Sequence, residues 1–211
     1  MAGGSDHRRP IEDLPYSRFA NGECRIGTVA ALKPHDVVVV LQLCRHGQPR
    51  PSYAQIAGEL LMSSSEVHAA VGRAVASGLV HGAELGNRPR LAAVEEFVLH
   101  GLRYAFPAER GGPTRGVPTS YAAEPLRKLV LCGDEPALVW PYSAGPSRGN
   151  AFDPLYRAAP KAALQDPVLY EYLALVDALR DGRARERKLA EEMIVSRLRT
   201  RVATRSEHQL R

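Results

Sequence analysis

The chain has 211 residues, of which 45% are hydrophobic and 24% charged, and its formal net charge is +5. These fractions are typical of a soluble globular protein with one large domain or two small ones, and the charge favours anionic partners. Met1 to Arg18 lacks the apolar core of a signal peptide, and the longest apolar run, Val37 to Leu41, is too short to span a membrane. The three cysteines are scattered without a C-x-x-C pair, which argues against a disulfide framework and a zinc site. A reduced, cytoplasmic location is therefore expected.

Residues 1–32 are expected to form an N-terminal arm that is partly disordered. The segment PHDVVVVLQLCRHG that follows Lys33 predicts a helix.

The segment Ser52 to Val80 predicts a helix-turn-helix pair. Ser52 can cap a first helix, Met62 to Ser65 interrupts it, and a second helix opens with serine and Glu66 and ends at Gly78. The apolar positions that define the two inner faces are Ile56, Ala57, Leu60 and Leu61 in the first helix, and Val67, Ala70, Val71 and Val75 in the second. In DNA-binding proteins of this type the second helix enters the major groove.

Residues 33 to about 90 resemble a winged-helix domain of the MarR-like sort. The resemblance rests on the preceding helix, on S-Y-A-x-I-A followed by S-E-V-H-A-A-V, and on GLVHGAELGNRPRLA, which could form a short two-stranded wing. It implies major-groove binding by the second helix and dimerisation through helices outside the winged helix. With the helix expected over 92–106, the domain is assigned to 33–104. Leu61 stands where the turn usually carries glycine, so an altered backbone geometry is expected there, because only glycine takes positive φ without strain.

The outward face of the second helix supplies the candidate DNA-reading groups. His68 and Arg73 are the plausible base readers, whereas the serine hydroxyls and the helix N-terminus could hold a phosphate. Arg88 and Arg90 flank Pro89 in the wing and could enter a minor groove or contact the backbone. The predicted DNA-binding set is Ser52, Ser63, Ser64, Ser65, His68, Arg73, Arg88 and Arg90. The alternative is a winged helix used for protein contact.

Residues 105–165 are assigned as a loop-rich connecting region that could bind a partner. Glycine, proline and aromatic residues alternate there with arginines, and loops of this length are often functional. The possible partner-binding or anion-binding residues are Arg110, Arg115, Trp140 and Arg148. A turn-rich connection with surface arginines is the alternative.

Residues 166–211 predict a helical region with a basic tail. Asp166-Pro167 is a sound helix start, and Gly182 is expected to end or bend that helix. The apolar stripe consists of Leu169, Tyr172, Leu173, Val176 and Leu179. The second part could pack on the protein or on a second copy. It could instead contact nucleic acid through Arg183, Arg185, Arg187 and Lys188.

The pattern as a whole predicts a mainly α fold, in which a winged helix-turn-helix with a small β-wing precedes long ordered loops and C-terminal helices. The histidine spacings fit no metal motif and no G-x-S-x-G occurs, so neither an enzyme nor a cofactor is expected. The predicted function is a dimeric, DNA-binding transcriptional regulator whose partner is double-stranded DNA, with no membrane contact. The alternative is an interaction module, antitoxin-like or scaffolding, that binds a partner protein through residues 107–164.

Overall fold

The computed structural model describes residues 31–46, 50–130 and 135–208, with side chains up to residue 199. The predicted N-terminal arm therefore lies almost entirely outside the described residues. The described part is mainly helical with a small three-stranded sheet. The helices are α1 (Pro34–His46), α2 (Tyr53–Leu60), α3 (Ser64–Ala76), α4 (Leu91–Glu96), α5 (Leu102–Ala105), α6 (Ala159–Gln165), α7 (Pro167–Asp181) and α8 (Ala184–His208). The strands are β1 (Arg110–Pro118), β2 (Leu138–Pro141) and β3 (Ser147–Phe152).

The first three helices lie where the sequence predicts them, although α3 begins at Ser64, inside the segment expected to separate it from α2. Ser52 and Ser63 are the N-caps of α2 and α3, and Gly78 takes a φ of 75° just beyond the end of α3. α1 is buried along almost its whole length, and burial raises the pKa of its Cys44 thiol to about 12, so the thiol stays protonated. The three helices thus form one unit around α1.

The turn between α2 and α3 departs from the expected geometry. Leu61 takes φ 54° and ψ 41°, the left-handed conformation that glycine adopts in such turns. The expectation of an altered backbone at this position is therefore wrong. The surrounding turn holds a leucine in the usual geometry, at a cost of about 1–2 kcal/mol.

The segment after α3 forms less of a wing than the sequence predicts. Val80 and Pro89 make a single antiparallel bridge, and a short 3₁₀ turn, Ala83–Leu85, occupies the tip. Two further backbone bonds close the loop, His81 N–H to Arg88 O at 2.8 Å and Arg90 N–H to Leu79 O at 2.9 Å. The expected two-stranded ribbon is thus a closed loop, because glycine and proline limit the length of paired backbone.

The helix expected over 92–106 is present as α4 and α5, joined by one turn of π-helix at Phe97–Gly101. Val94, Val98 and Leu102 are its fully buried positions. Its inner face therefore follows the predicted periodicity despite the irregular turn.

The region expected to consist of long loops contains the sheet, so the predicted loops are corrected while the mainly α fold class is confirmed. β1 pairs antiparallel with β2 and β3, and β2 pairs parallel with β3, so the small sheet closes on itself. Gly116 and Gly149 allow this closure: a Cβ on Gly116 would collide with Trp140 O, and one on Gly149 with Ala137 O. The glycines that suggest loops are therefore the residues that let the strands approach.

The C-terminal helices share one core with the rest of the chain. The predicted stripe of α7 is buried, as are Ala190, Ile194 and Leu198 of α8. Asp166 caps α7 with proline at N1, and α7 ends at Gly182, as the sequence predicts. No described helix combines the length and apolarity needed to cross a membrane.

A buried polar cluster connects the sheet and its adjoining segments to α7. The Asp177 carboxylate accepts hydrogen bonds from Thr119 Oγ1 at 2.8 Å, Trp140 Nε1 at 2.6 Å and Arg180 Nη1 at 2.8 Å. Arg180 also donates to the carbonyls of Phe106, Pro107 and Asp153. Burial raises the pKa of Asp177, while its hydrogen-bond donors favour the carboxylate. The sheet is thus anchored to the helical core through groups that each have a partner.

Candidate nucleic-acid interface

α3 presents a face of small side chains to solvent. Its buried positions are Val67, Ala70 and Val71, as the periodicity predicts, and Ala74, which takes the place of the predicted Val75; Val75 is only half-buried. The exposed stripe, at successive helical turns, consists of Ser65, Ala69, Gly72 and Ala76, with His68 beside it. No bulky or acidic side chain lies on the stripe, so another molecule could approach the helix backbone closely.

The N-termini of both helices are closed by their own side chains. Ser52 N–H donates to Gln55 Oε1 at 2.8 Å, and Ser52 Oγ accepts from the Gln55 amide at 3.2 Å. Both groups of Ser63, its amide at 2.8 Å and its hydroxyl at 2.7 Å, donate to Glu66 Oε2. The bonds from Ser63, backbone first, lower the pKa of Glu66, which keeps a negative charge at the start of α3. The amide and the hydroxyl of Ser63 thus both donate to Glu66, whereas the Ser52 hydroxyl only accepts and can still donate a hydrogen bond to another molecule.

Ser64 and Ser65 are both exposed at the start of α3. The Ser65 hydroxyl lies 3.0 Å from Ser63 Oγ. Glu66 lies on the flank of α3 that also carries Arg73, seven residues later, and not on the small-residue stripe. The serines and the stripe therefore remain accessible.

Arg73 faces α1 and not the solvent side of α3. Its Nε and Nη2 donate to the two carboxylate oxygens of Asp36, each at 2.7 Å, and this bond raises the pKa of Arg73. The Asp36 side chain is fully buried and that of Arg73 only 13% exposed. Arg73 must therefore be corrected from a candidate base reader to a structural partner of a buried carboxylate. The signal that could have shown this is an acid next to four consecutive valines, because a buried carboxylate needs a cation.

Tyr53 connects α2, α3 and the loop that follows α3. Its ring meets His68 edge-on at 5.5 Å, and its hydroxyl accepts from Asn87 Nδ2 at 2.9 Å. The Arg50 guanidinium lies 4.6 Å above the same ring. This contact set, which the sequence analysis missed, positions His68 at the edge of the exposed stripe.

Arg88 and Arg90 are exposed on the loop that Tyr53 and Asn87 hold against α2. Neither makes an ion pair with any residue that the structure describes. These two arginines are therefore available to a phosphate, and their role in DNA binding stays a prediction.

The four residues predicted to bind a partner or an anion separate into two groups. Trp140 is buried against Asp177, and Arg110 is exposed but already paired with Asp181. Arg115 and Arg148 are exposed and lie opposite each other on β1 and β3. Arg115 Nη1 donates to Gly145 O at 3.0 Å, which holds its guanidinium at the β2–β3 turn.

The four basic residues at the start of α8 differ in their contacts. Arg183, just before the helix, pairs with Glu135, and Arg187 donates to Gly182 O at 3.0 Å. Arg185 and Lys188 are exposed and make no ion pair with any residue that the structure describes. Side chains beyond Arg199 lie outside the described residues, so the basic tail is not placed.

Searches of protein-family models, curated proteins and solved structures find no match to this chain. The candidate interface therefore rests on the geometry of its own residues.

Proposed function

We propose that the protein binds duplex DNA through α2, α3 and the loop after α3, as a winged helix-turn-helix of the MarR-like sort does, and acts as a transcriptional regulator. The observation that carries the proposal is the exposed, small-residue face of α3. It lies beside His68 and a loop with two unpaired arginines. Small side chains allow a helix to enter a groove, and cations beside it neutralise phosphates.

The available side chains favour phosphate contact over base reading. With Arg73 bound to Asp36, only His68 and the Ser64 and Ser65 hydroxyls remain on α3 to contact a base edge. Bidentate contacts from arginine, asparagine or glutamine supply most base specificity. The proposed binding is therefore salt-sensitive and only weakly selective for sequence.

The experiment is a salt titration of binding between the full-length protein and a duplex of about 25 base pairs. Removing a cation that contacts a phosphate reduces the slope of log K against log salt by about 0.9. Arg88→Ala/Arg90→Ala is expected to lower the affinity at least tenfold and the slope by about 1.8. Arg185→Ala/Lys188→Ala, which removes the same charge from α8, is the matched control and should leave most of the affinity.

Two results would overturn this proposal. The first is the absence of salt-dependent binding by the unaltered protein. The second is a loss of affinity in the α8 variant that equals or exceeds the loss in the loop variant, which would move the contact to the C-terminal helix.

The partner-protein alternative loses part of its basis. Of the aromatic residues that suggested it, Trp140 and Phe152 are buried and fill the core between the sheet and the helices. Tyr142 and Tyr156 are half-buried. Dimerisation and binding of a partner by residues 107–164 stay predictions.

A further inference from the structure

A groove of about 560 Å³ opens where the helix pair meets the C-terminal half of the chain. The turn residue Leu61 lies on one side, Tyr142 and Ser143 of the β2–β3 turn on another, and Arg157 and Lys161 on the third. Leu61 stands two residues before Ser63, the N-cap of α3. The groove therefore adjoins the N-terminus of α3, the helix proposed to contact DNA.

The charge of this groove distinguishes it from the other described grooves. Its lining carries two cations and no carboxylate, and Arg157 and Lys161 are exposed without an ion pair among the described residues. The groove between α4 and α8 contains Glu95 and Glu96 beside Arg199, and the one beside the loop after α3 contains Glu96 beside Arg90, so a carboxylate offsets the arginine in each. Charge complementarity thus selects the groove at Leu61 for an anionic occupant.

Two more cations lie on the strands next to the β2–β3 turn. Tyr142 and Ser143 belong to the β2–β3 turn, where the guanidinium of Arg115 is held by Gly145 O. Arg148 lies directly opposite Arg115 on β3, and side chains of directly paired residues share a face of the sheet. The turn that lines the groove is therefore in contact with one arginine of a cross-strand arginine pair.

The position of the groove relative to α2 favours a long polyanion over a small one. Tyr53, at the start of α2, contacts the loop that carries Arg88 and Arg90, and Leu61, at its end, lines the groove. The eight residues of α2 span about 12 Å. Cations thus border both ends of α2, and a duplex backbone is long enough to contact both.

We propose that Arg157 and Lys161 form a second contact with the DNA phosphate backbone, supplied by the C-terminal half of the chain and continuous with the helix pair. This inference rests on the proposed function and extends the interface beyond the helix pair.

The test compares the full-length protein with Arg157→Ala/Lys161→Ala in the same salt titration. The expected result is a tenfold or larger loss of affinity at low salt and a decrease of about 1.8 in the slope, because two phosphate contacts disappear. Arg185→Ala/Lys188→Ala is again the charge-matched control and should change the slope by less than half as much. Both replaced residues are exposed, and circular dichroism and the thermal midpoint verify that the variants fold.

The outcomes separate the two proposals. If the unaltered protein binds DNA and the groove variant keeps its affinity and slope, the second contact is overturned while the proposed function stands. If the unaltered protein does not bind DNA, the proposed function fails, and the second contact fails with it. If the groove variant loses no more than the α8 control, the loss reflects net charge and the second contact is again overturned.

Discussion

At the scale of single residues, the ion pair between Arg73 and Asp36 is the contact that most changes the functional interpretation. The Asp36 carboxylate is fully buried and caps α1 by accepting a hydrogen bond from the Lys33 amide at 2.7 Å. It also accepts hydrogen bonds from Nε and Nη2 of Arg73. A buried pair of this kind is strongly destabilised by loss of one partner, because the other remains charged and unpaired. Arg73 therefore holds α3 to α1 and sets the direction in which the α3 face points.

Arg73→Ala is expected to lower the free energy of unfolding by about 3–5 kcal/mol. Urea denaturation of this variant, of Asp36→Ala and of the double variant gives the coupling energy. The two single losses should sum to more than the loss in the double variant, because each single variant leaves a buried group unpaired. Single losses below about 1 kcal/mol would show that the pair contributes little.

Single residues also show where sequence reasoning ends. Helical spacing identifies which positions of α3 are buried, but Arg73 lies at the border of that face, and its partner is 37 residues away in the sequence. Spacing likewise cannot show that Arg157 and Lys161 lie beside Leu61, because three separate segments of the chain form that groove. Only the local part of the candidate site, the serines, His68 and the two loop arginines, is readable from the sequence.

At the scale of elements, the helix boundaries are the most predictable part of the fold. Ser52 and Asp166 act as N-caps as expected, and a serine, Ser63, caps α3, because capping needs only residues within one turn of each other. The sheet is the least predictable part. β1 reads Arg-Gly-Gly-Pro-Thr-Arg-Gly-Val-Pro, a typical turn composition, and β2 has four residues. These strands exist because of pairing with distant segments.

The Asp166 side chain joins two elements and gives an expected pH dependence. It caps α7 through the Val168 and Leu169 amides and pairs with Arg45 at the end of α1. Burial raises the pKa of Asp166, but the hydrogen bonds from Arg45 and from the two amides outweigh it, so the pKa lies below the usual value. Its stabilising effect is therefore complete above the unfolded pKa of about 3.9 and is lost as the pH falls through the lower folded pKa.

Asp166→Asn separates the two roles of this residue, because asparagine is also a good N-cap but carries no charge. The free energy of unfolding should decrease by about 1 kcal/mol at pH 7. The difference from the unaltered protein should shrink as the pH falls below about 3.9. Urea unfolding at pH 7, 5 and 3 measures the free energy of unfolding of the unaltered protein and of the variant. An equal difference at all three pH values would show that the contact between Arg45 and residue 166 does not depend on the charge of Asp166.

At the scale of the whole molecule, the helix pair and the C-terminal half share one core. Arg45 pairs with Asp166, Arg197 with Glu171 at 2.6 Å and Arg199 with Glu95 at 2.6 Å, so α8 is held against both α7 and α4. The buried side chains of α8 pack within this chain and are not free for a second copy. This shared core fixes the sheet and α6 beside the helix pair, which the proposed second backbone contact requires.

The central claim is that the exposed face of α3 meets DNA, and Ala69→Glu tests it most directly. Ala69 is exposed in the middle of the stripe, so a glutamate there should change the free energy of unfolding by less than about 0.5 kcal/mol. Ala184→Glu, at an exposed position in the first turn of α8, introduces the same charge as a control. Binding of both variants to a 25-base-pair duplex would be measured by fluorescence anisotropy at 50 mM salt. The account predicts at least a tenfold weaker Kd for Ala69→Glu and less than a threefold change for Ala184→Glu. Equal affinities for the two folded variants would contradict the claim that α3 contacts DNA.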